Sequence, residues 1–148
     1  MPSLPGRFLV PGVGRDNQVV SQRQHISSGS PFEPTIGFSR AVRVGDRVVV
    51  SGTAPVPAPP GGRCPEGAGA QARRCFEIIE AALAEAGASI DDVVRTRMYI
   101  TSADDAGAVS AVHGDVLRHV RPAATMVIVA GLLDPAWKVE IEAEAVLP

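Results

Sequence analysis

The sequence predicts a two-layer α+β domain in which both helices lie on one face of a mixed sheet. Three observations lead there. Ala72, Cys75, Phe76, Ile79, Ala82, Leu83 and Ala86 recur at spacings of three and four, which is one apolar stripe of a helix. Residues 139–144 alternate strictly, with Val139, Ile141 and Ala143 on one side and Glu140, Glu142 and Glu144 on the other. The segments run in the order β-β-α-β-α-β-β, so strands needing cover alternate with helices able to give it.

The elements follow in chain order. Residues 1–37 are rich in Gly, Pro and Ser and read as a partly extended arm ahead of the domain proper, 38–148. "SRAVRV" and "RVVVSG" flank Gly45-Asp46, two β-branched runs joined by a tight turn. "TAPVPAPPGGRCPEGAG" holds too much Pro and Gly for regular structure and is a loop. The striped helix comes next and ends at Gly87. "DDVVRTRMYIT" is a strand with Val94, Thr96, Met98 and Ile100 on one face and Arg95, Arg97 and Tyr99 on the other. Ser102 and Asp105 have capping-box spacing and open a second helix with Val109, Val112 and Val116 as its stripe. "ATMVIVAGL" and "WKVEIEAEAVL" are the last strands, joined around Leu133 to Pro135.

Composition narrows the function classes. One domain fits 148 residues, and 45% hydrophobic residues suffice for a core. A net charge of -2, scattered Lys and Arg, and few aromatics argue against a nucleic-acid face. Cys64 and Cys75 have no metal-type spacing and read as reduced thiols of a cytoplasmic protein. No stretch approaches the roughly 20 apolar residues of a membrane span. No histidine or cysteine pair matches a zinc motif, so neither a metal nor a cofactor is expected.

The polar groups each admit two readings. Arg95 and Arg97 could face Glu140 and Glu142 as cross-strand ion pairs, contributing only roughly 0.2–1 kcal/mol each. Alternatively Glu140 is a general acid/base or the carboxylate that positions a water. His113, at the edge of the second helix's stripe, reads either as a partly buried, hydrogen-bonded histidine or as a catalytic group. Cys75 lies on an apolar stripe and reads as packing. Ser51-Gly52 ends a strand without the flanking glycines of a nucleophile elbow. The residues alone thus stop at an α+β domain with one charged sheet face.

Four phrases together resemble the Rid/YjgF family of small trimeric proteins, endoribonuclease L-PSP-like: "GFSRAVRVGDRVVVSGTAP", "AQARRCFEIIEAALAEAGASIDDVVRTRMYIT", "RPAATMVIVAGL" and "VEIEAEAV". The resemblance covers roughly Gly37 to the C-terminus. It implies a chorismate-mutase-like fold, a homotrimer around a central barrel, and small-molecule clefts between subunits. Well-studied members hydrolyse reactive enamines and imines to keto acids and ammonia; some relatives have been reported as ribonucleases or translation inhibitors.

Carried over residue by residue, the resemblance makes Glu140 the acid/base and Ser51 and Gly52 cleft contacts. Phe38 stands where a tyrosine is common, and Ser110 where an asparagine is found. Deaminating members read "PAR-S" where this chain reads Pro122-Ala123-Ala124-Thr125. Their arginine forks onto the substrate carboxylate, a contact Ala124 lacks and one worth roughly 1.5–3 kcal/mol. Thr125 and Met126 are further expected contacts. The expectation is therefore a branch without the deaminase arginine, binding or acting on an uncharged or imine-like metabolite. Enamine/imine deaminase activity and a non-catalytic sensor or chaperone-like role are the alternatives.

Overall fold

A computed structural model describes residues 22–148. The element order is β1 (Arg23–Ile26), a π-helical turn (Glu33–Gly37), β2 (Ala41–Val44), β3 (Arg47–Thr53), α1 (Ala68–Glu85), β4 (Val93–Ile100), α2 (Ala106–Leu117), β5 (Ala123–Ile128) and β6 (Val139–Val146). Short 3-10 turns, Ile90–Asp92 and Ala103–Asp105, precede β4 and α2. The strands form one sheet in the order β1-β2-β3-β6-β4-β5. Only β4 and β5 run parallel; every other pair is antiparallel. This is the α+β architecture read from the sequence.

Two local differences stand out. The arm contributes β1, which pairs with β2 from Arg23↔Val44 to Ile26↔Ala41, and Ile26 enters the core. Its single buried apolar position in a polar stretch gives no alternation to read, so only the pairing makes the strand. The expectation for residues 1–21 lies outside the described residues. The capping box is at Ser89 and Asp92, whose backbone and side-chain bonds close reciprocally before β4. At Ser102 the hydroxyl accepts only from the Asp104 amide, and α2 starts later, at Ala106.

The core lies between the helices and one face of the sheet. Ala72, Cys75, Phe76, Ile79 and Leu83 of α1 meet Val48 and Val50 of β3 and Val139, Ile141 and Ala143 of β6, all buried. Burying each large side chain contributes roughly 1.5–3 kcal/mol. Gly87 ends α1 at φ 82, a conformation costly for a residue with a Cβ. The opposite sheet face has no helix among the described residues. It carries Val49 and an ion-pair ladder: Arg47–Glu144 at 3.3 Å, Arg97–Glu144 at 3.4 Å and Arg97–Glu142 at 3.5 Å, with Tyr99 Oη donating to Glu142. Arg97 thus takes two glutamates, while the register partner of Glu140 is Tyr99 rather than an arginine. No helix among the described residues is long and apolar enough to cross a membrane.

Candidate functional site

The site begins with an irregularity. Strand β3 pairs with β6 from Arg47↔Val146 to Val50↔Ala143, then the register shifts before Thr53↔Ile141. A bulge re-aims the side chains and carbonyls around it. Here the displaced residues are Ser51 and Gly52, and Arg40 collects them. Arg40 Nη1 donates to Gly52 O at 3.2 Å and to Thr53 Oγ1 at 2.7 Å. Thr53 Oγ1 donates onward to Ser51 O at 2.8 Å. The Ser51 amide donates back to Arg40 O at 3.0 Å, and Ser51 Oγ reaches Ser39 O and Arg40 O, also at 3.0 Å. The bulge is therefore held by its own serine and threonine and by one guanidinium.

Glu140 lies over this bulge. A Cβ at position 52 would overlap its Oε1, so glycine is required for close approach, not for an unusual φ. Among the described residues no donor hydrogen-bonds the Glu140 carboxylate. Burial raises its pKa above the usual carboxylate value; the Arg40 charge opposes that rise and Glu142 adds to it. The Arg40 guanidinium in turn is disfavoured by burial and supported by the charges of Glu140 and Glu33. Its Nε is buried without an acceptor. A desolvated, uncommitted acid of this kind can hold a proton and release it to a reacting group.

Two further features shape the surroundings. Gln71, buried in α1, donates to Pro65 O and Ala136 O at 3.0 Å and accepts from Lys138 N at 2.7 Å, pinning the chain just before β6. That fixes where Glu140 enters. On the other side, Glu33 accepts from Ser27 and Ser28 and closes the serine loop of the arm. Between this loop and the proline-rich loop lies a cavity of about 420 Å³, walled by Phe38, Arg40, Ser28, Ser30, Val56 and Pro57.

The predicted site residues fall into three places. Glu140, Ser51 and Gly52 converge at the bulge, with Phe38 in the neighbouring cavity wall. Ala124, Thr125 and Met126 lie on β5, at the far edge of the sheet. Ala124 pairs with Thr96, whose side chain is buried on the helix side, whereas Thr125 pairs with Arg97 on the open face. Within one chain Ala124 is two strands away from Glu140 and on the opposite face. His113 is on the helix side as well: its Nε2 bonds Thr96 Oγ1 at 2.8 Å, and Phe76 meets its ring edge-on at 5.9 Å. Burial lowers its pKa, so the neutral imidazole is favoured. The sheet stands between His113 and Glu140 and does not bring them together. Ser110 is exposed on α2.

Arg40, Thr53 and Gln71 were missed by sequence reasoning. The one available signal was an arginine at the start of the first predicted strand, two residues after Phe38. Cys75 is buried and its thiol is pushed up to about 12, mainly by burial, which suits packing rather than nucleophilic attack. Among the described residues no group of three or more His, Cys, Asp or Glu could hold a metal ion.

A mixed sheet backed by two helices, with a carboxyl packed over a strand bulge, defines a small two-layer α+β protein. Comparison with known proteins names the family. Residues 29–147 match the family model described as endoribonuclease L-PSP. The crystal structure of Rv2704 from Mycobacterium tuberculosis, a member of the highly conserved YjgF/YER057c/UK114 family, is 43% identical with a TM-score of 0.77, covering 85% of this chain and 100% of that one. The YjgF gene product of E. coli is 32% identical with a TM-score of 0.68, covering 75% and 89%. A 2-iminobutanoate/2-iminopropanoate deaminase of Salmonella typhimurium is 33% identical over 112 residues, 74% of this chain and 86% of that one. The chain belongs to the Rid/YjgF family.

Proposed function

We propose that this protein is a homotrimer whose inter-subunit clefts bind an uncharged, imine-like metabolite and hydrolyse or rearrange it without typical 2-imino acid deaminase activity. The observation that carries the reading is the Glu140 carboxyl: half-buried, free of donors among the described residues, and next to an arginine whose charge is already met by Glu140 and Glu33. With Ala124 in place of an arginine, nothing in this arrangement favours a second anion. A neutral imine, or its iminium, suits it better.

Distances within one chain support the two-copy cleft. Two strand spacings and three residues separate Glu140 from Ala124 in one chain, roughly 10 Å in each direction, and their side chains leave opposite faces. A second copy is what could bring Ala124, Thr125 and Met126 to the bulge. β5 offers an apolar edge for this, with Val127 and Ile128 41% and 60% exposed.

The proposed chemistry uses the chain's own groups. The imine takes a proton from solvent and reacts as its iminium. Ionised Glu140 takes a proton from water as the water oxygen attacks the C=N carbon, leaving a neutral carbinolamine. Glu140 then passes that proton to the nitrogen, the C–N bond breaks to release ammonia, and the hydroxyl proton returns to the Glu140 carboxylate and on to solvent as the C=O bond forms. Ser51 and Gly52 line the approach, and Phe38 walls it. A net charge of -2 gives no basic surface for RNA, so nucleic acid has no part in this reading.

The relatives named 2-iminobutanoate/2-iminopropanoate deaminase support a second reading, in which 2-imino acids remain substrates. One assay separates the two. Ammonia release is followed from 2-iminopropanoate, made by an amino-acid oxidase, and from a neutral aldimine, made by an amine oxidase. The expected result is acceleration of the aldimine only, with 2-iminopropanoate gaining acceleration in A124R. Rapid release from 2-iminopropanoate by the unaltered protein establishes the second reading. No acceleration of either, with function in the cell unchanged by E140Q, points to a non-catalytic ligand sensor. A monomeric mass by light scattering at micromolar concentration would remove the two-copy cleft.

A further inference from the structure

We propose that Arg40 is a positioning residue for this site: it locks the β3 bulge beneath Glu140, and its charge decides when Glu140 holds a proton. The proposal rests on the reading of Glu140 as the reacting acid, and it concerns a residue outside the cleft contacts expected from the sequence.

The geometry gives Arg40 both roles. Its main-chain carbonyl accepts from the Ser51 amide and hydroxyl, while its Nη1 holds the Gly52 carbonyl and the Thr53 hydroxyl. It therefore touches all three residues of the register shift. Loss of those bonds would free the Gly52 peptide, and Gly52 is the surface on which the Glu140 carboxyl rests. Nη1 is committed to the bulge and Nε is buried without an acceptor, so no hydrogen bond joins the guanidinium to Glu140. The two act on each other through charge alone, in half-buried surroundings.

The other groups bearing on Glu140 are few. Glu142 lies two residues along β6 and opposes ionisation. Tyr99 stands opposite in register on β4, its hydroxyl committed to Glu142. Cys75, in the core on α1, feels the Glu140 charge and stays a neutral thiol. Glu33 acts on Arg40, but its own charge is held by Ser27 and Ser28. Arg40 is thus the one cation among the groups acting on Glu140, against burial and Glu142 on the other side.

The test needs no substrate, which separates it from the fate of the proposed reaction. The Glu140 carboxyl carbon is titrated by NMR in the full chain, its signal assigned with E140Q. R40Q removes the charge and is expected to move the midpoint upward. R40K keeps a charge and is expected to leave the midpoint near that of the unaltered protein, while the Gly52 and Thr53 amide signals shift as the clamp is lost. A midpoint in R40Q equal to the unaltered protein's overturns the proposal. Where R40Q fails to fold, R40M decides: it also removes the charge while its unbranched apolar stem fills the space, and an upward move is expected. An unmoved midpoint there overturns the proposal equally. With an imine substrate, the pH profile of hydrolysis follows the NMR midpoint. A protein whose Glu140 titration follows Arg40 but which hydrolyses no imine sinks the proposed function and leaves this inference standing.

Discussion

Two half-buried titratable groups, His113 and Glu140, sit on opposite sides of the same sheet and differ in how they are satisfied. His113 has a hydroxyl partner in Thr96, 1% exposed, and a phenyl ring at its edge. Glu140 has a charge nearby, a glycine beneath it and no donor. Burying a polar group is tolerable when it is hydrogen-bonded and costly when it is not. The histidine is therefore part of the packing. The glutamate is an unpaired group whose cost the fold bears, and such groups mark reacting positions. Sequence position alone did not separate the two, since His113 borders an apolar stripe and Glu140 is one of three glutamates along a strand face.

The sharpest way to break this contrast is to remove each group in turn. E140Q keeps the shape and removes the acid; imine hydrolysis is expected to fall by about 10²–10⁴-fold with the fold intact by circular dichroism. Hydrolysis retained within a few-fold would dissolve the distinction. G52A tests the same side indirectly. The added methyl must displace the Glu140 carboxyl, since its partner is that side chain's end and not rigid backbone. A displacement on the order of 1 Å can lower the rate by up to about 10²-fold. On the other side, H113A leaves the Thr96 hydroxyl without its partner, at a cost of about 1–3 kcal/mol. Its thermal midpoint should drop while the rate per folded molecule stays the same. A rate loss as large as that of E140Q would make the histidine a participant after all.

What could be read from the sequence divides along a similar line. Periodicity exposed both helices, the hairpin and the alternation of β6, because half-buried elements repeat with the period of their geometry. It put Glu140 on the correct face. It could not show the β3 bulge, because Ser51-Gly52 reads as a strand end and Thr53 as the start of a loop, and the shift appears only when Thr53 is found opposite Ile141. Without the bulge there was no reason to single out Arg40 or Thr53. Nor could local pattern relate Ala124 to Glu140. Both are strand residues in the sequence, and only the order β6-β4-β5 reveals that β4 lies between them. β1 was missed because its apolar content is a single residue, Ile26.

The smallest expected effect is on stability against pH, and there the two groups act with opposite sign. Burial raises the native pKa of Glu140 above its ordinary 4.5, so the folded chain binds this proton more tightly than the unfolded one. Its contribution is most favourable below pH 4.5 and declines as pH rises through the raised native value. Burial lowers the native pKa of His113 below its ordinary 6.5, so the unfolded chain takes that proton first. Its contribution is full above pH 6.5 and declines as pH falls from there toward the lowered native value. Thermal midpoints measured across this range should therefore fall less steeply with rising pH in E140Q, and E140Q should be the more stable protein at neutral pH. The same series in H113A should lose the acid-side decline instead. Parallel pH curves for E140Q and the unaltered protein would mean that Glu140 is no more desolvated than a surface carboxyl, and the contrast between the two sides of the sheet would lose its physical basis.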